Sequence, residues 1–544
     1  MTHNLFIKSA QQSMIRSLLF GLVLIFLSGG VNANTYYVTT ASDTGSGSLR
    51  SMIDSANVHS GLDTVSLSLG AHDTIHIAGP LPIITDSLVI TGRPCQNPTV
   101  NGDSLGFIIP AFLVANAAIP LTINYLNIFN CKFTNGTGAA GAISAGYLYL
   151  NHCYFYGNYL KQANTPGTGS AGAVTATNLW AYNSTFNGNS WFGATTVLTN
   201  GAGAVSSHNG HLFNCTFVNN HTQSYGGALN GGFTEIQNCT FANNTAKVDG
   251  GGIYSSYTGY PNFLIANCIV FGNTVTSPIG NNYKAGISMA QTTTSGGCNI
   301  LQDTAVIDSF KISGTDLTGG DPQFGTFGYY SGCVPVLPIL CGSVAQDHAT
   351  CSGATTADAE GIAAQGIRDA GAFEITRSVL GGDTLDSISR GTTANLYNYF
   401  NTTGLTITWP AGLNDSSAGA VDTGTYTVIG TNFLGCSDTA TATILYSTDT
   451  LNIGIKGISA NNGFSLFPNP VKETAFLSWT GSMSGMLDLE LTDVLGRGVI
   501  FEKINASAGR YAVHTGQLVS GMYYISVRQG NESVFSNKLV VVGR

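Results

Sequence analysis

Charge is what this 544-residue chain has least of: Asp, Glu, Lys and Arg together make up 9% of it. So few charges exclude a disordered acidic or basic tail and argue against a protein of long solvated helices. No arginine occurs between Arg93 and Arg368, and no basic run appears, so nucleic acid is not an expected partner. Beyond residue 27 no apolar run is long enough to cross a membrane as a helix. The 11 cysteines include no CxxC pair, which removes the usual spacing of a zinc site. Carboxylates are scarcest in the middle, where only Glu235 and Asp249 occur between residues 131 and 300.

What the chain has instead is 69 glycines and an abundance of Asn, Ser and Thr. Gly and Asn tolerate the positive φ of tight turns, so the composition suits a β-rich fold with many corners. The net charge of −9 is mild. Near the N-terminus, Lys8 and Arg16 flank an apolar run from Leu18 to Leu27, and Val31-Asn32-Ala33 offers a small-residue cleavage site. Residues 1–33 therefore read as a secretory signal, with the mature chain beginning near Asn34.

The central region repeats two marks. A Gly-small-aliphatic triplet occurs at Gly141-Ala142-Ile143, Gly172-Ala173-Val174, Gly203-Ala204-Val205, Gly227-Ala228-Leu229 and Gly251-Gly252-Ile253, with a weaker copy at Ala285-Gly286-Ile287. The second mark is Asn-Cys-x-Phe followed by Asn, as in Asn214-Cys215-Thr216-Phe217 and Asn238-Cys239-Thr240-Phe241. His152-Cys153-Tyr154-Phe155, Asn183-Ser184-Thr185-Phe186 and Asn267-Cys268-Ile269-Val270-Phe271 are variants. The five strong triplets are 31, 31, 24 and 24 residues apart. Packed helix pairs would fix such a period, whereas β-coils tolerate corner loops of different length, and stacked coils share one core. The fold expected over residues 34–377 is thus all-β: a right-handed parallel β-helix with caps. In it Cys131, Cys153, Cys215, Cys239, Cys268 and Cys298 would be a column of small buried thiols rather than metal ligands or disulfides. Phe217, Phe241 and Phe271 would stack, and the Asn positions would form amide ladders.

Tyr36-Tyr37-Val38-Thr39 reads as a strand, and Leu49, Met52, Ile53 and Ala56 put a short amphipathic helix over Ser48–Asn57. Together they would cap the open end of the core. Strands are also expected over Thr64–Leu69, Thr74–Ile77 and Ser87–Thr91. The repeat marks resemble the GGA[ILV] and FxxN repeats of polymorphic outer-membrane proteins and related bacterial β-helix adhesins. The opening segment, and the series Asp321-Pro322-Gln323-Phe324, Gly342-Ser343-Val344-Ala345-Gln346-Asp347, Arg368-Asp369 and Gly371-Ala372-Phe373-Glu374, resemble the choice-of-anchor Q β-helix family. That family implies a fold and a surface habit, not a reaction. Asp347, Arg368, Asp369 and Glu374 are read as salt bridges of the end cap.

Residues 378–448 change character. Thr406-Ile407-Thr408-Trp409, Gly424-Thr425-Tyr426 and Gly435-Cys436 resemble the Ig-like β-sandwich spacers of secreted bacterial adhesins. Cys436 has no partner within that segment. Residues 449–463 read as a linker. The segment 464–544 carries Phe467-Pro468-Asn469-Pro470, then Asp493 with Gly496-Arg497, then Gly521 and Tyr523, then Lys538 before an aliphatic end. This closely resembles the small β-sandwich that serves as the C-terminal sorting domain of type IX secretion. The resemblance implies a Gram-negative cell, the type IX secretion machinery as partner, removal of the domain, and often attachment to lipopolysaccharide on the outer-membrane surface. Asp-Thr/Ser-aliphatic triplets such as Asp63-Thr64-Val65 and Asp303-Thr304-Ala305 resemble O-glycosylation acceptors of such bacteria, and equally fit ordinary turn-plus-strand sequence.

A polysaccharide-degrading β-helix enzyme would need two facing carboxylates, or calcium ligands with a basic proton acceptor. Glu235 and Asp249 are about half a coil apart and are expected on different faces. His208, His211 and His221 are expected on surface loops without carboxylate partners. No catalytic residue, metal or cofactor is called for. Adhesion to a glycan or protein surface is the favoured role, with Tyr147, Tyr149, Tyr154, Tyr156, Trp180 and Trp191 as candidates for ring stacking on sugars. A purely structural stalk or coat component is the other alternative.

Overall fold

The computed structural model describes residues 33–103, 105–107, 109–136, 140–162, 169–193, 201–255, 263–277, 284–289, 292–303, 310–447, 463–480, 484–530 and 532–542. The secretory signal expected over 1–33 and the linker expected over 449–463 fall almost wholly outside them, as does Thr304-Ala305.

The central chain is a parallel β-solenoid of about eight turns. Among the described residues, three parallel sheets of twelve, ten and seven strands run along it. One coil runs Val205–Phe213, Thr216–Val218 and His221–Thr222, and the next repeats it as Leu229–Gln237, Thr240–Ala242 and Thr245–Ala246. These pair in register, with Val205 on Leu229, Phe217 on Phe241 and His221 on Thr245.

The repeated residues are placed by backbone geometry. The corner between the first and second sheets falls on His152, Asn183, Asn214, Asn238 and Asn267, all at φ between 48° and 57°. Asn is the non-glycine residue most at ease in that left-handed region. The corner between the second and third sheets falls on Asn130, Gly157, Gly188, Asn219, Asn243 and Gly272, again at positive φ. The triplet glycines answer a different demand. A Cβ on Gly141, Gly172, Gly203, Gly227 or Gly251 would stand 1.9–2.3 Å from a carbonyl oxygen of the coil above. Ala285 holds the same place in the last of these copies, where no further copy of the triplet follows.

Inside, Phe155, Phe186, Phe217 and Phe241 stack with centroids 4.7–4.8 Å apart. Phe271 does not join them. Val270 faces Phe241 in the register, and Phe271 lies opposite Ala242 on the outer side. The expected thiol column is real for Cys153, Cys215, Cys239 and Cys268, with Ser184 in the series; Cys215 N donates to Cys239 Sγ at 3.3 Å. Two cysteines depart from it. Cys298 is bonded to Cys351, and Cys131 heads the amide ladder at the other corner instead. That ladder descends through Asn158, Asn189, Asn220, Asn244 and Asn273 to Gln302, each amide bonded to its neighbour. Its buried polar atoms are satisfied within the stack, which is the condition for placing amides in a core.

At the N-terminal end, Thr35–Val38 pairs parallel with the next strand, and the helix Leu49–Asn57 follows, capped by Ser48. Leu49, Ile53 and Ala56 are buried in the solenoid core. At the other end, residues 321–377 do not merely close the last coil. They run back along the outer face of the second sheet, where Thr185 donates to Pro335 O and Gly371 donates to Asn267 O. Disulfides join Cys95 to Cys333 and Cys341 to Cys436, so Cys436 has a partner outside its own segment.

Thr384–Ile388, Thr406–Thr408, Gly424–Thr431 and Ser437–Tyr446 form one four-stranded sheet. Among the described residues this segment has no second sheet of its own, as a complete sandwich would. The C-terminal module has two antiparallel sheets. One contains Phe464–Phe467, Thr474–Trp479 and Arg510–His514; the other contains Met486–Asp493, Gly498–Asn505, Gly521–Gln529 and Glu532–Val541. They enclose a core of its own that includes Leu477, Trp479, Leu489, Ile525 and Leu539.

Candidate functional site

Two regions carry the residues singled out by sequence. The first is the C-terminal module. The Phe467–Pro468 and Asn469–Pro470 peptide bonds are cis. Between them, Asn469 stitches the entry turn to the last strand: its Nδ2 donates to Lys538 O at 2.6 Å, and its Oδ1 accepts from Val540 N at 2.9 Å. Phe467 is half exposed and lies against Arg510, whose guanidinium covers Phe476 at 3.8 Å.

Asp493 organises the second turn. Its Oδ1 accepts from Leu495 N and Arg497 N at 2.9 Å each, and its Oδ2 takes the Arg497 guanidinium at 2.7 Å. The hydrogen bonds from Arg497, backbone and side chain, hold the Asp493 carboxyl below its usual range. Gly496 sits at φ +77°, which a side chain would strain. Gly521 opens the strand in which Tyr523 lies opposite Asp493, and the Tyr523 hydroxyl donates to Val519 O at 2.8 Å. The motif residues therefore build the module's two turns and their supports; Phe467 to Pro470, Gly496, Arg497, Gly521 and Lys538 are exposed, whereas Tyr523 is buried and Asp493 half-buried.

The second region is the outer face of the first solenoid sheet. Parallel register puts Tyr149, Trp180, His211 and Glu235 in one column and Asn151, Tyr182, Phe213 and Gln237 in the next. Tyr149 stacks on Trp180 at 4.8 Å, Trp180 on His211 at 5.4 Å and Tyr182 on Phe213 at 5.1 Å, all within 11° of parallel. Tyr147 lies 6.4 Å from Trp180, also parallel. Because the rings stack on one another, their faces are consumed within the columns and their polar edges meet the surface. Of the other aromatic candidates, Trp191 and Tyr154 are buried, and Tyr156 is exposed on the second sheet.

The histidines lie on strands, not loops. His208 and His211 belong to Val205–Phe213, and His221 belongs to the third sheet. His211 does have a carboxylate near it, Glu235, with Nδ1 3.8 Å from Oε2. Neighbouring coils create that pairing, which linear spacing conceals. Asp249 is engaged elsewhere: Oδ1 accepts from Gly250 N and Lys284 N, and Oδ2 from Ser288 Oγ.

The acidic cluster near residue 370 is a structural one. Arg368 and Glu374, each about 3% exposed, pair at 2.8 Å. Asp369 accepts from Asp347 N and Ile375 N, while Asp347 pairs with Arg377 rather than Arg368. Burial pushes the Asp358 and Asp369 carboxyls up to about 6. Among the described residues no three His, Cys, Asp or Glu side chains gather as a metal ion would require.

Residues 465–542 match the family described as secretion system C-terminal sorting domain. That module makes the chain a secreted or cell-surface protein handled by the type IX secretion machinery. No curated protein matches the chain. Among solved structures, dimeric latent PorU from Porphyromonas gingivalis aligns at 18% identity over 23% of this chain and 13% of its own, with a TM-score of 0.13. A score that low does not define a shared fold.

Proposed function

We propose that this is a β-solenoid displayed on the outer surface of a Gram-negative cell, where it acts as an adhesin-like binder of glycan or protein surfaces rather than as an enzyme. The reading includes kinship with the choice-of-anchor Q and polymorphic outer-membrane β-helix proteins, an Ig-like spacer after the solenoid, and attachment to lipopolysaccharide once the sorting module is removed. The observation that carries it is the outer face of the first sheet. There Tyr147, Trp180, Asn178 and Asn209 form a weakly charged surface rich in ring edges and amides, whereas the second sheet is overlain by residues 321–377. Such a surface suits hydrogen-bonded contact with an uncharged partner. Glycoside hydrolysis would require a second carboxylate, and among the described residues none is paired with His211 and Glu235, which lie 3.8 Å apart.

The test uses the purified chain against a broad polysaccharide panel, with and without calcium. Retention on a panel member, weakened at least tenfold by Tyr147→Ala with Trp180→Ala, supports the reading. New reducing ends or unsaturated products would overturn the non-enzymatic part of it. Binding that ignores the double substitution would move the contact surface elsewhere.

A further inference from the structure

In a strand with one face in the core, the outward positions should be polar. The outward positions of the second sheet break that rule in the later coils. In one column Thr185, Thr216 and Thr240 give way to Ile269 and Ile300, in the next stand Val218 and Ala242, and all seven are buried. Over part of this surface lies a two-stranded arm. Phe324 bridges Ile339 and Gly328 bridges Val336, antiparallel, so residues 323–340 form a hairpin with Cys333 near its tip. Leu337 packs against Val218 and Ala242, with Phe324 and Phe327 beside it. Pro335 O accepts from Thr185, and Cys333 O accepts from Asn97 Nδ2 at 2.8 Å. The Glu360 carboxylate accepts from Tyr330 N, Ser331 N and Ser331 Oγ. The tip is tied covalently to Cys95, 238 residues away in sequence, and Cys341, just past the base, is tied to Cys436.

The arm packs on the outside of the coils: Ile269 and Ile300 bury with its Val336 and Ile339, apart from the main core. The main core runs from Val38 to Phe310 and contains no residue of the arm.

We propose that the hairpin 323–340 is a redox latch: the Cys95–Cys333 bond holds it down over the second sheet, and reduction of that bond releases the arm while the coils stay folded. Closure joins the two thiols by exchange with an external disulfide of an oxidising compartment. The two sulfur atoms bond, and the donor takes up two electrons and two protons to become two thiols; release is the reverse, an external dithiol giving two electrons and two protons to the Cys95–Cys333 bond and itself becoming a disulfide. The chain sorts its cysteines for this. Cys131, Cys153, Cys215, Cys239 and Cys268 are fully buried, and burial raises the thiols of Cys131 and Cys153 to about 12. Exchange needs an accessible thiolate, so the core thiols neither form bridges nor scramble them. Release would uncover Tyr154, Val218 and Ala242, with Ile269 and Ile300 beside them, as one apolar strip.

The test is limited digestion of the full chain with a chymotrypsin-like protease, whose sites in the arm include Phe324, Phe327, Tyr329 and Tyr330. In Cys95→Ser with Cys333→Ser, cleavage within 323–340 should quicken at least tenfold, while the five core thiols stay closed to alkylation until denaturant is added. Cys298→Ser with Cys351→Ser should not quicken it, which separates a latch from general loosening. If the double variant folds poorly, mild reduction of the native chain followed by mass mapping of alkylated cysteines gives the same reading. Cleavage no faster without the Cys95–Cys333 bond would overturn the proposal. So would alkylation of the core thiols at the moment the arm becomes cleavable, because the coils would then be opening with it.

Discussion

A Cβ placed on Gly227 would stand 1.9 Å from the carbonyl oxygen of Gly251 in the next coil. Real Cβ atoms do not approach so closely, and the obstacle is backbone rather than a side chain that can turn aside. Gly227→Ala must therefore spread two coils that share a hydrogen-bonded ladder and the phenylalanine stack. The expected loss is about 3 kcal/mol or more, the range of strained core substitutions. Urea unfolding of the two proteins measures it. The opposite change, Ala285→Gly, should cost no more than about 1 kcal/mol, the ordinary entropic penalty of glycine.

The glycine triplets and the Asn-Cys-x-Phe marks exposed the solenoid in sequence because stacking forces the same residue into the same place on every coil. The mistakes came from positions that the repeat alone does not orient. Counting from the left-handed Asn267, the third residue on is the inward one, as Phe217 is from Asn214; that residue is Val270, so Phe271 faces out. Asn130-Cys131-Lys132-Phe133 spells the first-corner motif yet sits at the second corner, because both corners want a left-handed residue followed by a small buried polar one. The hairpin over the second sheet was out of reach of local pattern, since its ties join residues 238 and 95 apart. One signal was nonetheless present: Val218, Ala242, Ile269 and Ile300 are apolar where the strand alternation calls for polar side chains, which says that something covers them. The His211–Glu235 approach was likewise hidden, because it needs the register of two coils. In the sorting module, Asp493 and Arg497 were legible because one tight turn contains both.

Asn220 offers the sharpest probe of the amide ladder. Its Nδ2 donates to Phe186 O and Asn244 Oδ1, and its Oδ1 accepts from Asn189. Asn220→Ala strands several buried groups, each worth about 1–3 kcal/mol when unpaired, so a loss of about 3–5 kcal/mol is expected. Asn220→Asp should be worse at pH 7, since a carboxylate oxygen would face two oxygen acceptors. It should recover in part near pH 4, where the protonated acid can donate again. Denaturation midpoints of both variants at the two pH values decide the point.

His152 occupies a corner where other coils carry Asn, and its Nδ1 is buried without a partner. Burial lowers its pKa to about 4 from 6.5. The folded chain therefore resists a proton that the unfolded chain accepts, so the unfolded state binds more protons between pH 6.5 and 4. Stability from this group is present above pH 6.5 and is lost as pH falls through that window, by at most about 3 kcal/mol. His152→Asn keeps the left-handed turn and removes the titration. The variant should gain on the native chain progressively from pH 6.5 to 4, read as the difference in melting temperature across that range. A constant difference would show that the ring does not titrate in this way.

The last prediction concerns export. The core of the sorting module and the core of the solenoid share no residue. Removing residues 464–544 should leave the coils folded, with the melt of the solenoid unchanged within about 0.5 kcal/mol, because clusters that share no partners contribute additively. The same deletion should stop the chain between the inner and outer membranes, since the part that the secretion machinery handles is gone. A milder change separates recognition from folding. Asp493→Ala removes the acceptor for Leu495 N, Arg497 N and the Arg497 guanidinium, so the turn that displays Val494 and Leu495 loses its internal ties. Surface display, followed by antibody labelling of intact cells, should fall severalfold while the amount of solenoid in the cell holds steady. Undiminished labelling of cells that make the 464–544 deletion would show that this module is not what takes the chain to the surface.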